Sequence, residues 1–123
     1  MTRIVPLALA FSDFAVAAPA QEPSAKRGRE IYMKTGCYTC HGTVGQGTSA
    51  GLKLAPDPLP AEAIANFIRN TDTTAPSYAA MPTYSAEVLS DAEVADIAAY
   101  LATVPPSKDP DTIPALKGLT ATR

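Results

Sequence analysis

The chain has 123 residues, enough for one domain, and 46% of them are hydrophobic, which excludes global disorder. A net charge of −2, with no run of basic residues, argues against nucleic acid as a partner. Aromatic residues make up only 7% and Trp is absent, so a core of aliphatic side chains would be thin and would leave room for an apolar cofactor.

The first twenty residues have the features of a secretory leader. Arg3 supplies a positive charge, residues 4–11 are apolar, and Ala18-Pro19-Ala20 is a small-residue cleavage site before Gln21. We therefore predict that residues 1–20 are a signal peptide and that the chain is exported to the periplasm. The apolar stretch is too short to span a membrane, so no transmembrane segment is expected after cleavage. The alternative is an ordered N-terminal arm.

The first predicted helix lies in the sequence SAKRGREIYMKTG. Ser24 is a favourable N-cap, and Gly36 can end the helix in the left-handed conformation. Gly28 lies inside this helix, where Gly costs about 1 kcal/mol relative to Ala. Such a cost is usually tolerated where another backbone must approach closely, so we expect a helix contact at Gly28.

The middle of the chain alternates loops with one further helix. HGTVGQGTSAG predicts a glycine-rich loop, and LAPDPLP predicts an extended turn stiffened by proline. AEAIANFIRN predicts a second helix with Ile64, Phe67 and Ile68 on one side. The segment TDTTAPSYAAMPTYSAEVL has no periodicity, and loops of that length usually have a function or wrap around a ligand.

The last helix has the clearest sequence signals. Ser90 and Glu93 form a capping box, and Pro105-Pro106 would end the helix. Its apolar residues recur at helical spacing: Val94, Ile97, Ala98, Leu101 and Val104. Residues 105–123 follow as a proline-rich tail. No strand pattern or internal repeat is present, so we predict an all-α fold with long loops.

Both cysteines and the only histidine lie in the sequence GCYTCHG. A structural zinc site needs four ligands and an iron–sulfur cluster needs four cysteines, so neither fits Cys37, Cys40 and His41 alone. A thioredoxin-type redox pair expects a βαβ setting, which the sequence lacks. A disulfide between these cysteines would close so small a loop that its entropic benefit is minor.

The remaining interpretation of C-x-x-C-H is covalent attachment of haem. Two thiols three positions apart can add to the two vinyl groups on one edge of a porphyrin. The next residue, His41, then lies beneath the ring with an imidazole nitrogen facing the iron. The glycine-rich loop allows the backbone to approach the haem edge. Covalent haem also agrees with the predicted export and with the thin aromatic core.

Met81 is the candidate for the second axial ligand of the iron. The only histidine is already used, and the soft thioether of Met is a suitable ligand. Met1 lies in the predicted leader, and Met33 lies eight residues before His41, too near to reach the opposite face of the ring. Met81 lies in the long loop and is followed by Pro82, which would stiffen it. The alternative is that Met81 fills a gap in the core.

With these motifs, the chain resembles the class I c-type cytochromes, specifically the small bacterial single-haem kind, over residues 28–104. The resemblance implies three to four helices wrapped around one covalent haem. It also implies that the first and last helices cross, with Gly28 and Tyr32 facing Ile97 and Tyr100. The close contact expected at Gly28 is explained by this crossing.

The sequence departs from this family at two places. The family often places a Pro where this chain has Leu52, and the carbonyl of that Pro accepts the N–H of the proximal imidazole. The carbonyl of Leu52 could accept the same bond. The family's frequent Trp donor to a haem propionate is absent, and Arg69, Tyr78 and Tyr84 are candidate substitutes.

These observations predict a periplasmic electron carrier with one covalent haem c, in which His41 and Met81 bind the iron. Residues 21–104 would form the haem domain. A dehydrogenase or an oxidase would be its redox partner, and the tail, through Ile113, Leu116 and Leu119, is a candidate docking segment. The alternatives for the tail are that it lies back on the haem domain or is a disordered end. Because both axial positions are filled, we expect no catalysis by this chain. The alternatives are a haem c subunit of an oxidoreductase complex, a reactive haem with an open distal position, and a non-haem interaction module.

Overall fold

A computed structural model describes residues 21–71 and 81–116. The predicted signal peptide, part of the long loop with Tyr78, and the last seven residues lie outside these ranges. The described residues form four α-helices and two short 3-10 turns, with no strand among them. The helices are α1 (Ala25–Lys34), α2 (Tyr38–His41), α3 (Ala61–Arg69) and α4 (Asp91–Ala102). The predicted all-α fold with long loops is confirmed.

The ends of α1 follow the signals in its sequence. The Ser24 side chain accepts a hydrogen bond from the backbone N–H of Arg27, 3.4 Å away, and so caps the first turn. Gly36 has a φ of 80°, the left-handed conformation that ends a helix. Both predictions made from this segment are confirmed.

The capping box predicted for α4 is also present. The Ser90 side chain accepts from the Glu93 backbone, and the Glu93 carboxylate accepts from the Ser90 N–H at 2.8 Å. Val94, Ile97 and Leu101 are buried in the core. The helix ends at Ala102, three residues before Pro105.

The crossing of α1 and α4 is the most extensive helix contact among the described residues. A Cβ atom at Gly28 would lie 1.8 Å from the carbonyl oxygen of Asp96, so only glycine allows the two backbones to approach this closely. One turn further along, the rings of Tyr32 and Tyr100 pack with their centroids 5.6 Å apart. The helix crossing that the resemblance implied is therefore present.

An ion pair between half-buried Arg27 and buried Asp96 joins the start of α1 to α4. The Asp96 carboxylate accepts hydrogen bonds from Arg27 Nε at 2.8 Å and Nη2 at 2.9 Å, and from the Ser24 N–H at 2.6 Å. The hydrogen bond from Arg27 is the main reason that the pKa of Asp96 lies below its ordinary value. The sequence analysis did not identify this pair.

The second and third helices position the middle of the chain. The sequence analysis did not predict α2, a single turn that includes Cys40 and His41 and lies between Gly36 and Gly42, which both have positive φ. In α3, Ile68 is buried, whereas Phe67 is 61% exposed. At the end of α3, Arg69 donates to the Leu89 carbonyl at 3.0 Å and so holds α3 against the start of α4.

The tail leaves α4 as mostly exposed chain. It contains two 3-10 turns, Pro110–Thr112 and Pro114–Leu116, which its sequence did not predict. Ile113 and Leu116 are half-buried. None of the helices in the two described ranges is both long enough and apolar enough to cross a membrane.

Candidate functional site

An apolar cavity of about 350 Å³ lies between α1, α3, α4 and the loops that follow α2 and α3. Three of the four predicted site residues line it: Cys37, His41 and Met81. Most of the remaining lining consists of aliphatic side chains, among them Leu54, Ile64, Ile68, Leu89, Val94 and Leu101. Residues that are far apart in the sequence therefore meet at one cavity.

His41 ends α2 and has one ring nitrogen fixed by the backbone. Its Nδ1 lies 2.7 Å from the carbonyl oxygen of Leu52. A carbonyl can only accept a hydrogen bond, so this contact requires the proton on Nδ1, and in the neutral imidazole Nε2 then has a free lone pair. A histidine that binds a metal typically has this arrangement, with its second nitrogen donating to a carbonyl or carboxylate. The sequence analysis named the Leu52 carbonyl as a possible acceptor for the His41 ring N–H, and this contact is present.

The two cysteines are free thiols on either side of the start of α2. Cys37 is half-buried on the cavity wall, and its Sγ lies 3.2 Å from the Thr35 hydroxyl. Burial raises the pKa of the Cys37 thiol. Cys40 is also half-buried but is not part of the cavity lining.

Two methionines pack against the core, but only one of them lines the cavity. Met81 is half-buried on the cavity wall. Met33 is packed against the same core from α1, outside the lining. A group bound in the cavity would therefore contact Met81 and not Met33.

The cavity opens onto exposed apolar surface. Leu52, Leu59 and Phe67 line it and are 76%, 59% and 61% exposed. Burying an exposed apolar side chain stabilises a protein by roughly 1.5–3 kcal/mol. A flat apolar group seated in the cavity would cover these side chains, and a haem has this character. In the described part of the chain, no three His, Cys, Asp or Glu side chains are grouped to hold a metal ion by themselves.

The sequence analysis missed most of the cavity wall, including its charged residues Lys53 and Asp57. Their positions depend on how the loops fold back, for which the sequence has no local signal. Two candidate propionate donors have other partners. Arg69 binds the Ala65 and Leu89 carbonyls and Asp91, and the Tyr84 hydroxyl donates to the Thr35 carbonyl at 3.1 Å.

An all-helical domain with C-x-x-C-H at the wall of an apolar cavity is the arrangement of a c-type cytochrome domain. The comparisons agree: residues 23–101 match the model of the family described as cytochrome c oxidase, cbb3-type, subunit III. The chain belongs to this family of c-type cytochrome domains.

One curated relative is the cbb3-type cytochrome c oxidase subunit CcoP of Helicobacter pylori (strain 52). It is 31% identical to this chain over 85 residues, which are 68% of this chain and 29% of the relative. The chain thus spans less than a third of the length of that relative. No solved structure matches the chain.

Proposed function

We propose that this chain is an electron-transfer domain that carries one covalent haem c. In this proposal Cys37 and Cys40 form the thioether bonds, and His41 and Met81 bind the iron, as in the small class I cytochromes. The observation that carries the proposal is the shared cavity: Cys37 and His41 of the C-x-x-C-H motif line the same apolar space as Met81, forty residues after His41.

The residues of the chain fit such a group. The bound haem would supply an iron that takes up and releases one electron. His41 offers Nε2, and the bond from its Nδ1 to Leu52 makes the imidazole a better donor. The thioether of Met81 would raise the reduction potential, and the aliphatic wall would keep water from the ring.

The setting of this domain is a further part of the proposal. Residues 1–20 would be a signal peptide, residues 21–104 the haem domain in the periplasm, and residues 105–123 the tail. Because the relative from Helicobacter pylori is named as an oxidase subunit, we propose that the domain passes electrons within or to an oxidase complex. A dehydrogenase that reduces the haem would be the other redox partner.

Met81 distinguishes an electron carrier from a reactive haem. If its sulfur binds the iron, the oxidised holoprotein should have the weak near-infrared absorption band of Met–Fe(III) coordination. Met81→Ala should abolish this band, lower the reduction potential and open a site that binds carbon monoxide quickly. Visible and near-infrared spectra, a redox titration and carbon monoxide mixing measure these effects.

Met33→Ala is the matched control, because it removes the same side chain from the core without reaching the cavity. It should keep the band and the slow binding of carbon monoxide. A parent protein that lacks the band and binds carbon monoxide fast would contradict Met81 ligation. The reactive haem with an open distal position would then be the better interpretation.

The tail is proposed as a docking segment for the redox partner. Its backbone is restrained by prolines. Ile113 lies between the two 3-10 turns, Leu116 ends the second, and both are half-buried apolar residues. Leu119, the third apolar residue of the proposed segment, lies outside the described residues. Truncation after Ser107 should leave the haem spectrum unchanged and weaken co-purification with the partner complex. Loss of the near-infrared band on truncation would instead mean that the tail belongs to the haem domain.

A further inference from the structure

Two buried tyrosines, one on α1 and one on α4, bind consecutive backbone carbonyls directly after His41. The Tyr32 hydroxyl donates to the Gly42 carbonyl at 2.8 Å, and the Tyr100 hydroxyl donates to the Thr43 carbonyl at 2.9 Å. Tyr32 is fully buried and Tyr100 is 6% exposed. The two long helices therefore hold the segment that leaves the proposed iron ligand.

The other hydrogen bonds of this segment are local. The His41 carbonyl accepts from the Gly47 N–H at 2.8 Å, and the Gly42 carbonyl also accepts from the Gly45 N–H at 3.1 Å. The Gly42 N–H also donates to the Tyr38 carbonyl of α2 at 3.0 Å. These bonds hold the segment to its own neighbours in the sequence but do not fix its position relative to α1 and α4. The bonds from the two tyrosine hydroxyls supply that connection.

The helix crossing does not need these hydroxyls. The aromatic rings of Tyr32 and Tyr100 pack together, and phenylalanine would fill the same volume. A buried hydroxyl is costly unless it has a hydrogen-bond partner, so its presence at both positions indicates a role for the bond itself.

We propose that Tyr32 and Tyr100 are positioning residues for His41. Their hydroxyls fix the backbone on the C-terminal side of the histidine, while the Leu52 carbonyl fixes the ring at Nδ1. Held in this way, the imidazole would offer Nε2 to a bound haem iron in one fixed orientation. A metal ligand whose position is fixed by hydrogen bonds from neighbouring groups keeps its geometry when the charge on the metal changes. This inference rests on the proposed function.

The test compares Tyr32→Phe, Tyr100→Phe and the double variant as holoproteins. Proton NMR of the oxidised protein reports the haem-methyl shifts, whose pattern follows the orientation of the axial imidazole, and a redox titration gives the potential. Each single variant should change the methyl pattern and shift the potential, and the double variant should do so more. The Gly47 N–H donates to the His41 carbonyl, which would be less firmly held in these variants. Hydrogen exchange at the Gly47 amide should therefore become several-fold faster.

Ser24→Ala is the control. It removes the cap of α1, the helix that carries Tyr32, without changing the charge or touching the bonds at Gly42 and Thr43. It should lower stability and leave the methyl pattern and the potential as in the parent. If the double variant behaves like Ser24→Ala, the hydroxyls are structural only and the positioning proposal is wrong. A parent protein without covalent haem would instead overturn the proposed function, and the positioning role with it.

Discussion

At the residue scale, Asp96 is the only buried charged side chain among the described residues, with 5% of its surface exposed. Its carboxylate is paired with Arg27 and accepts a third hydrogen bond from the Ser24 N–H. A buried carboxylate without such partners would be strongly destabilising. The pair therefore joins the first residues of the described chain to the last helix, 69 positions away.

This pair makes a prediction about acid stability. The folded-state pKa of Asp96 is lowered, so its contribution to stability is complete above the ordinary carboxyl pKa of about 4 and is lost as the pH falls through the lowered value. Asp96→Asn should therefore be less stable than the parent at pH 7. The difference in unfolding free energy should narrow below about pH 4. Denaturant unfolding of the holoproteins between pH 7 and pH 2 measures it.

Glu30→Gln is the control for this series, because Glu30 is exposed on α1. This substitution also removes one negative charge, as Asp96→Asn does. Its difference from the parent should stay small at every pH. A constant difference between the parent and Asp96→Asn down to pH 2 would contradict the role assigned to the ion pair.

At the scale of the elements, Gly28 sets the distance between α1 and α4. Alanine there would gain about 1 kcal/mol of helix propensity, but its Cβ would clash with the Asp96 backbone. Overpacking usually costs about 1–3 kcal/mol, and a Cβ only 1.8 Å from a backbone oxygen places the cost at or above the upper end of that range. After the gain in propensity is subtracted, we expect Gly28→Ala to lose about 2 kcal/mol of stability. Thermal or denaturant unfolding of the holoprotein measures the loss.

The control for the helix crossing is Arg29→Ala, at the neighbouring exposed position of the same helix. A surface change of this kind usually stays within about 0.5 kcal/mol. If Gly28→Ala matched the parent or exceeded its stability, the close crossing of the two helices would be wrong.

The elements also separate what the sequence could predict from what it could not. Ser24, Gly36 and the Ser90–Glu93 capping box are local signals, and the structure has the helix ends where they indicate. The single turn of α2 was missed because four residues are too few for periodicity to appear. The two tyrosine hydroxyls were missed because the partner of a buried hydroxyl depends on tertiary structure, which sequence spacing does not encode.

At the scale of the whole molecule, the candidate site is assembled from distant segments around one cavity. Cys37, His41 and Met81 could be predicted because their chemistry is specific and few residues of each type exist in the chain. The aliphatic wall could not, because leucines and isoleucines occur throughout the sequence and only folding selects those that face the cavity. Residues of all four helices line this cavity, so a haem bound there would contact each of them.

The central claim is that haem is bound covalently at Cys37 and Cys40, and peptide mass mapping tests it most directly. The full chain, expressed with haem maturation in the periplasm, is extracted with acid–acetone and digested with trypsin. Cleavage after Lys34 and Lys53 releases residues 35–53, which contain both cysteines and His41. We predict that this peptide carries the mass of one haem, and that changing both cysteines to alanine abolishes it. Recovery of the same peptide with two unmodified thiols, or with a disulfide, would contradict the account.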